Sequence, residues 1–300
     1  MANQFPAYNV RHINLKSGEI GFIDEGKGKT ILLVHGAPFT SLGYMRVIDE
    51  LRKTYRVVAP DLPGFGSSSA AAGFTAKLED YSAFLVEFCQ VLALDDFYMY
   101  LFDSAGCFGL HAAPALASKL AGLVIADTVA FPLTGRAWAV RFVLRYIVSS
   151  RPARFLNRKL NLLPWLVATV VPLLGFKPFS RRVRQAMITQ FDTEEKRDRV
   201  LNIFSQMGWN DRFMFEISEG TKKYLSHIPA LLLFGQFDPV RFVGAVPRFQ
   251  KMFAKCTVRI IPLEEHFPIF ASGAKVAREM NDWIKQQEGI EVPRAVQARI

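Results

Sequence analysis

Cysteine is scarce in this 300-residue chain: Cys89, Cys107 and Cys256 stand far apart, odd in number and without a CxxC pair. That excludes a disulfide framework and points to a reducing compartment. The opening stretch MANQFPAYNVRHINLKSGE has polar residues where a signal peptide needs an apolar core, so a cytoplasmic address is expected. Internal repeats and low-complexity tracts are missing too. Acidic residues vanish altogether between Asp127 and Asp192, while eleven cations fall between Arg136 and Arg184. Those eleven account for the whole net charge of +10, so the basicity belongs to one segment. Neither a nucleic-acid motif nor a basic–aromatic β platform accompanies it, and nucleic acid is not the expected partner.

What is present is apolar. Half the chain is hydrophobic, enough for one large domain or a domain carrying an insertion. Short apolar runs alternate with longer amphipathic ones, which predicts an α/β fold with a mostly parallel twisted sheet flanked by helices. The clearest strands are Thr30–Gly36, Arg56–Asp61, Phe97–Phe102, Gly122–Asp127, Ala230–Gly235 and Val258–Pro262. Helices are expected over DYSAFLVEFCQVL and SGAKVAREMNDWIKQQ.

One segment breaks the alternation. From about Pro132 to Phe215 the pattern turns helical and Arg-rich, with Pro152, Pro164, Pro172 and Pro178 as breaks. The expected division is therefore a core over 1–131 and 216–300 and a helical cap over 132–215. Inside the cap, LNLLPWLVATVVPLLGF (Leu160 to Phe176) is apolar almost throughout. Its two prolines and short length argue against a membrane span. A lid whose apolar face closes over a pocket is the plainer reading. Peripheral contact with an anionic membrane, helped by the flanking arginines, lies between the two.

Chemistry gathers at the strand ends. VHGAP (Val34 to Pro38) closes one strand and APDLPGFGSS the next; FDSAG, FGQFDPV and EEHFP follow in turn. A nucleophile, then an acid, then a histidine, each just past a strand, is the chain order of the α/β-hydrolase triad. Singly these signals are weak, since a structural Asp or His after a strand is common. Five in order are strong. On these motifs the chain resembles the capped α/β hydrolases, and within them the haloalkane dehalogenases and epoxide hydrolases, over roughly Gly18 to Gln287. The resemblance implies an α/β-hydrolase fold with an inserted helical cap after the sixth strand. It also implies an oxyanion-hole amide from the HGxP motif, here that of Ala37.

His266 is the candidate general base, because imidazole titrates near neutrality and can pass a proton either way. Asp238 would orient it and stabilise its cation. Asp127 stands where some relatives carry their acid and is held in reserve. His12, His111 and His227 show no matching context, and His35 is read as structural.

Two nucleophiles compete in YLFDSAGCFG: Asp103 and Ser104. A nucleophile elbow needs small residues where strand and helix approach closely. Two, three and six residues after Asp103 stand Ala105, Gly106 and Gly109; after Ser104 they are Gly106, Cys107 and Leu110. The family's flanking pattern also fits without a gap only if Asp103 is the nucleophile. Asp103 is preferred, with the backbone amides of Ser104 and Ala37 as oxyanion donors. Ser104 stays open as an esterase-like alternative.

Departures from the family narrow the chemistry. Ser104 stands where dehalogenases carry a halide-binding tryptophan, and Ala37 replaces the asparagine of HGNP. Simple dehalogenation is not expected. The cap offers Tyr146 alone where epoxide hydrolases use two tyrosines. Trp138, Tyr146 and Trp165 are candidates to line an apolar substrate pocket. The expected activity is a cofactor-free hydrolase, without metal, acting on a bulky apolar ester, lactone or epoxide. The alternative is a non-hydrolytic lyase, cyclase or binder of a hydrophobic small molecule.

Overall fold

The computed structural model describes residues 8–170 and 178–291. Eight strands form one sheet in the order β1-β2-β4-β3-β5-β6-β7-β8. They are β1 (Val10–Leu15), β2 (Gly18–Glu25), β3 (Thr30–Val34), β4 (Arg56–Pro60), β5 (Phe97–Phe102), β6 (Leu120–Ala126), β7 (Ala230–Gly235) and β8 (Cys256–Ile261). The six strands expected from the apolar runs are all present, and they pair in parallel from β4 through β8. The sequence did not mark β1 and β2. They pair antiparallel at one edge of the sheet, and β1 is half exposed and mixed with polar residues, so no apolar run announces it. The inner strands β3, β5 and β7 are buried along their full length, as strands covered on both faces must be.

Helices α1 (Met45–Leu51), α2 (Leu78–Val91) and α3 (Ala105–Ala112) belong to the first half of the core. Between β6 and β7 every regular element among the described residues is helical. There lie α4 (Trp138–Phe142) with a wider turn over Val143–Val148, α5 (Arg151–Leu160), α6 (Leu162–Trp165), α7 (Arg181–Thr189), α8 (Glu194–Trp209) and α9 (Asp211–Gly220). Asn161, at φ 53°, takes the left-handed position that ends α5. The boundary expected at residue 215 falls inside α9, whose Phe213 stacks on His111 of α3 at 4.4 Å between ring centres. That helix rests on the core. Pro172 and Phe176 of the apolar cap run, and Lys177 after it, lie outside the described residues. Among the described residues no helix is long and apolar enough to cross a membrane. After β7 come α10 (Pro239–Phe242), α11 (Ala245–Gln250), α12 (Pro268–Ala271) and α13 (Gly273–Gln287).

Candidate active site

Three strand ends deliver three side chains to one place. Asp103 follows β5 directly and sits at φ 55°. A left-handed aspartate costs on the order of 1–3 kcal/mol unless the surroundings hold it. Here the hydroxyl of Thr128 donates to its carbonyl, and the amide of Gly106 donates to that same oxygen at 3.0 Å. The sharp turn lets α3 begin at once and pack closely on β5. A Cβ at Gly109, six residues on, would lie 2.3 Å from Leu101 Cδ2. The small-residue register therefore belongs to Asp103, as the spacing suggests.

His266, in the loop after β8, bridges two carboxylates. Its Nε2 lies 3.1 Å from Asp103 Oδ2 and its Nδ1 3.0 Å from Asp238 Oδ1. Asp238 follows β7 and caps α10, its Oδ1 also accepting the Val240 amide at 2.9 Å. A carboxylate can only accept, so the ring presents N–H toward Asp238. The Asp238 side chain is 0% exposed, against 11% for Asp103 and 17% for His266. Asp238 is sealed while Asp103 and His266 remain reachable. Burial alone would lower the imidazole. The charge of Asp238 and the hydrogen bonds to both carboxylates outweigh it and raise His266 well above its ordinary value.

Asp127, also left-handed at φ 44°, lies behind Asp238. Its Oδ1 accepts the Gly235 amide at 2.8 Å. The second oxygens of Asp127 and Asp238 are buried and, taken as acceptors only, have no partner. A proton on Asp127, shared with Asp238, satisfies both. Burial and the neighbouring Asp238 charge raise Asp127 well above the carboxylate range. Burial would raise Asp238 as well, but the charge of His266 and the hydrogen bonds it accepts keep it low. Asp127, Asp238 and His266 hold their donor atoms within 4.8 Å of one another. As a metal cluster they fit poorly, because the imidazole Nδ1 and the Asp127 Oδ1 are already engaged by the protein.

Ser104 is elsewhere. It is fully buried, and its hydroxyl accepts the Ala37 amide at 2.9 Å. Its hydroxyl has no hydrogen bond to His266, whose ring nitrogens face the two aspartates. This also alters the expected oxyanion hole, since the Ala37 amide points to the serine hydroxyl. The Ser104 amide stays beside Asp103: a Cβ on Gly36 would lie 2.8 Å from it and 2.3 Å from Asp103 Oδ1. Only glycine fits there. His35 is structural as read, its Nε2 accepting the Leu62 amide at 3.0 Å.

The aromatic residues expected in the pocket are on the outside. Trp138, Tyr146 and Trp165 are 67%, 55% and 45% exposed. Helical periodicity and aromatic content do not distinguish the two faces of a lid. The apolar wall of the site comes instead from Phe39, Phe102 and Phe267. Phe102 and Phe267 lie 5.9 and 4.9 Å from the His266 ring, and Phe39 packs on both at 5.6 and 5.4 Å. Phe39 directly follows HGAP and Phe267 directly follows His266, which is the signal that could have found them. On its other side Phe39 lines an apolar groove of about 300 Å³, between the Thr40–Met45 turn and α7, with Val183, Met187 and Phe270.

A family description, "Alpha/beta hydrolase family", matches residues 31–279, most of the chain and all three site residues. The chain belongs to the alpha/beta hydrolase family. This member is 26% identical over 266 residues to haloalkane dehalogenase 2 of Mycobacterium tuberculosis, covering 88% of this chain and 91% of that one. It is 24% identical over 278 residues to cis-3-alkyl-4-alkyloxetan-2-one decarboxylase of Shewanella oneidensis, covering 86% and 78%. In fold it is similar to haloalkane dehalogenase DbeA from Bradyrhizobium elkani, with a TM-score of 0.81 and 18% identity over 94% of this chain and 99% of that one. Membership makes this protein a hydrolase by family. Which bond it breaks is a separate matter.

Proposed function

We propose that this hydrolase acts on bulky apolar esters, lactones or epoxides through a covalent ester on Asp103, with His266 as base and Asp238 as its acid. The observation that carries the proposal is the contact between His266 Nε2 and Asp103 Oδ2, while the Ser104 hydroxyl is turned to the Ala37 amide. In the first step an oxygen of Asp103 attacks carbon and a carbon–oxygen bond of the substrate breaks. Where the departing oxygen is an alkoxide it takes a proton from water; where it is a carboxylate it leaves as the anion. In the second, His266 removes a proton from water, the hydroxide attacks the ester carbonyl on Asp103, and the alcohol leaves with its proton restored. Negative charge that collects on the Asp103 carbonyl oxygen in this step is met by the nearby Ser104 amide. The phenylalanine wall favours apolar substrates. Halide would find no tryptophan beside Asp103, since Ser104 stands there, and simple dehalogenation is not proposed.

A second reading has its own support. The decarboxylase relative acts, by its name, on a four-membered lactone. Attack by Asp103 on the ring carbon bearing oxygen would open such a lactone to a carboxylate. Breaking the carbon–carbon bond to that carboxylate then releases carbon dioxide, in place of hydrolysis. Its electron pair forms an alkene as the carbon–oxygen bond to Asp103 breaks and frees the aspartate. Presenting matched apolar epoxides, esters and β-lactones to the protein, and analysing products by mass spectrometry, tests both. Alcohol or diol products absent from an Asp103→Asn variant support hydrolysis. Alkene with carbon dioxide supports the second reading, and turnover undiminished in Asp103→Asn refutes both.

A further inference from the structure

The outer face of the cap is a feature that the proposed reaction leaves unused. Trp138, Phe142 and Tyr146 recur every four residues along α4 and the turn after it, so they project from one side, and they are 67%, 49% and 55% exposed. Val143 and Ile147 lie beside them, and α5 adds exposed Phe155, Leu156 and Leu160. The stripe is continuous with a neighbouring helix, because the Tyr146 ring lies 6.0 Å from that of Trp209 on α8. A surface this apolar marks a contact with something else.

Charge says what. The stretch carrying these side chains holds no acid, as the sequence shows between Asp127 and Asp192. Later helices neutralise some of its cations: Asp211 pairs with Arg141 and Arg145, Asp198 with Arg158, and Glu194 with Lys159. Exposed Arg136, Arg151 and Arg181 have no acidic partner among the described residues. Arg151 is one turn from Phe155 on α5, and Arg181 shares a shallow groove with Trp165. Exposed aromatics interleaved with unpaired arginines match the headgroup zone of an anionic bilayer, which takes rings at the acyl boundary and guanidinium on phosphate. Two copies of this face would bring like charges together, which disfavours self-association.

We propose that the cap face from Trp138 to Leu160 docks this protein onto an anionic membrane surface. The inference is independent of the reaction proposed above. It is tested with the full chain by flotation on vesicles of phosphatidylcholine alone against an equimolar mixture with phosphatidylglycerol. The mixed vesicles should capture the protein, neutral ones should not, and high salt should release it. Replacing Arg151 or Arg136 by Ser should weaken capture about fivefold each. The double change Phe142→Ser and Phe155→Ser should abolish capture while the melting temperature and hydrolysis of a soluble substrate stay unchanged. Equal capture by neutral vesicles, or no capture at all, would overturn the proposal. So would a dimer in light scattering that Phe142→Ser dissolves, because a second copy would then cover the face.

Discussion

Replacing His266 by alanine separates the two steps of the proposed reaction. Attack by the Asp103 carboxylate on carbon needs no base, and the change frees its Oδ2 from the imidazole 3.1 Å away. Hydrolysis of the resulting ester does need a base. Losing one typically costs about 10²–10⁴-fold. The first step should therefore persist while the second slows by that factor, and the ester should accumulate to one equivalent. The assay is intact mass spectrometry after incubation with an apolar epoxide, where the adduct carries the full substrate mass. Asp103 and Ser104 are adjacent, so fragment ions must place the adduct on one or the other. Adduct on Asp103 in the variant, with turnover falling at least about 10²-fold, is the expected result. A serine nucleophile behaves in the opposite way, because its hydroxyl cannot attack without the base. No adduct in His266→Ala, beside an acyl group on Ser104 when the unaltered enzyme is given an apolar ester, would refute the reasoning.

Other changes follow from the same geometry. Ser104→Ala leaves the buried Ala37 amide without its acceptor, which should cost about 1–3 kcal/mol of stability by chemical denaturation while turnover is only weakened. An inactive Ser104→Ala beside a fully active Asp103→Asn would reverse the assignment of nucleophile. Asp127→Asn keeps an acceptor for the Gly235 amide and a donor for Asp238, so turnover at neutral pH should stay close to that of the unaltered enzyme. Asp127 is raised in the fold, so the unfolded chain loses that proton first and the native enzyme loses stability as pH climbs above about 4. The asparagine variant lacks this loss, and melting curves should favour it increasingly with pH; a constant difference would count against a protonated Asp127. Gly36→Ala would drive a methyl into Asp103 Oδ1 and should remove most activity, measured beside a melting curve that confirms folding.

The sequence displays the parts of this site that depend on chain order, and hides those that depend on which way a helix face turns. That Asp103, Asp238 and His266 would meet was legible because each follows a strand of the parallel set, and parallel strands deliver their C-terminal ends to one edge of the sheet. The elbow register was legible because Gly109 must clear Leu101. The cap aromatics were misread, since Trp138 and Tyr146 have the spacing of a buried face yet point outward. The Ala37 amide was assigned to the oxyanion on the family resemblance, and the HGxP motif gives no sign that the Ser104 hydroxyl accepts it. Strands β1 and β2 escaped notice for lack of an apolar run, although β2 buries Ile20 to Ile23.

Electrostatics around His266 also bear on the choice of nucleophile. In the resting site the imidazole lies between two carboxylates, and their charges and hydrogen bonds favour its protonated form against the effect of burial. An imidazolium cannot activate a serine hydroxyl, so a Ser104 mechanism would begin with the base already spent. An Asp103 mechanism meets no such obstacle. Once Asp103 becomes an ester its charge disappears, and with it part of what keeps the ring protonated. Burial then favours the neutral imidazole at the moment when water must be deprotonated. Asp238 remains ionised behind it, relieved of competition because Asp127 keeps a proton. In the proposed reaction the first step thus prepares the base for the second. In single-turnover experiments, ester formation should therefore continue at pH values where serine chemistry would stall on a protonated histidine. Hydrolysis of the trapped ester should show an acid limb at lower pH than the resting imidazole titrates by NMR. Coincident values for the two would mean that loss of the Asp103 charge does not lower His266, and the coupling between the steps would fall.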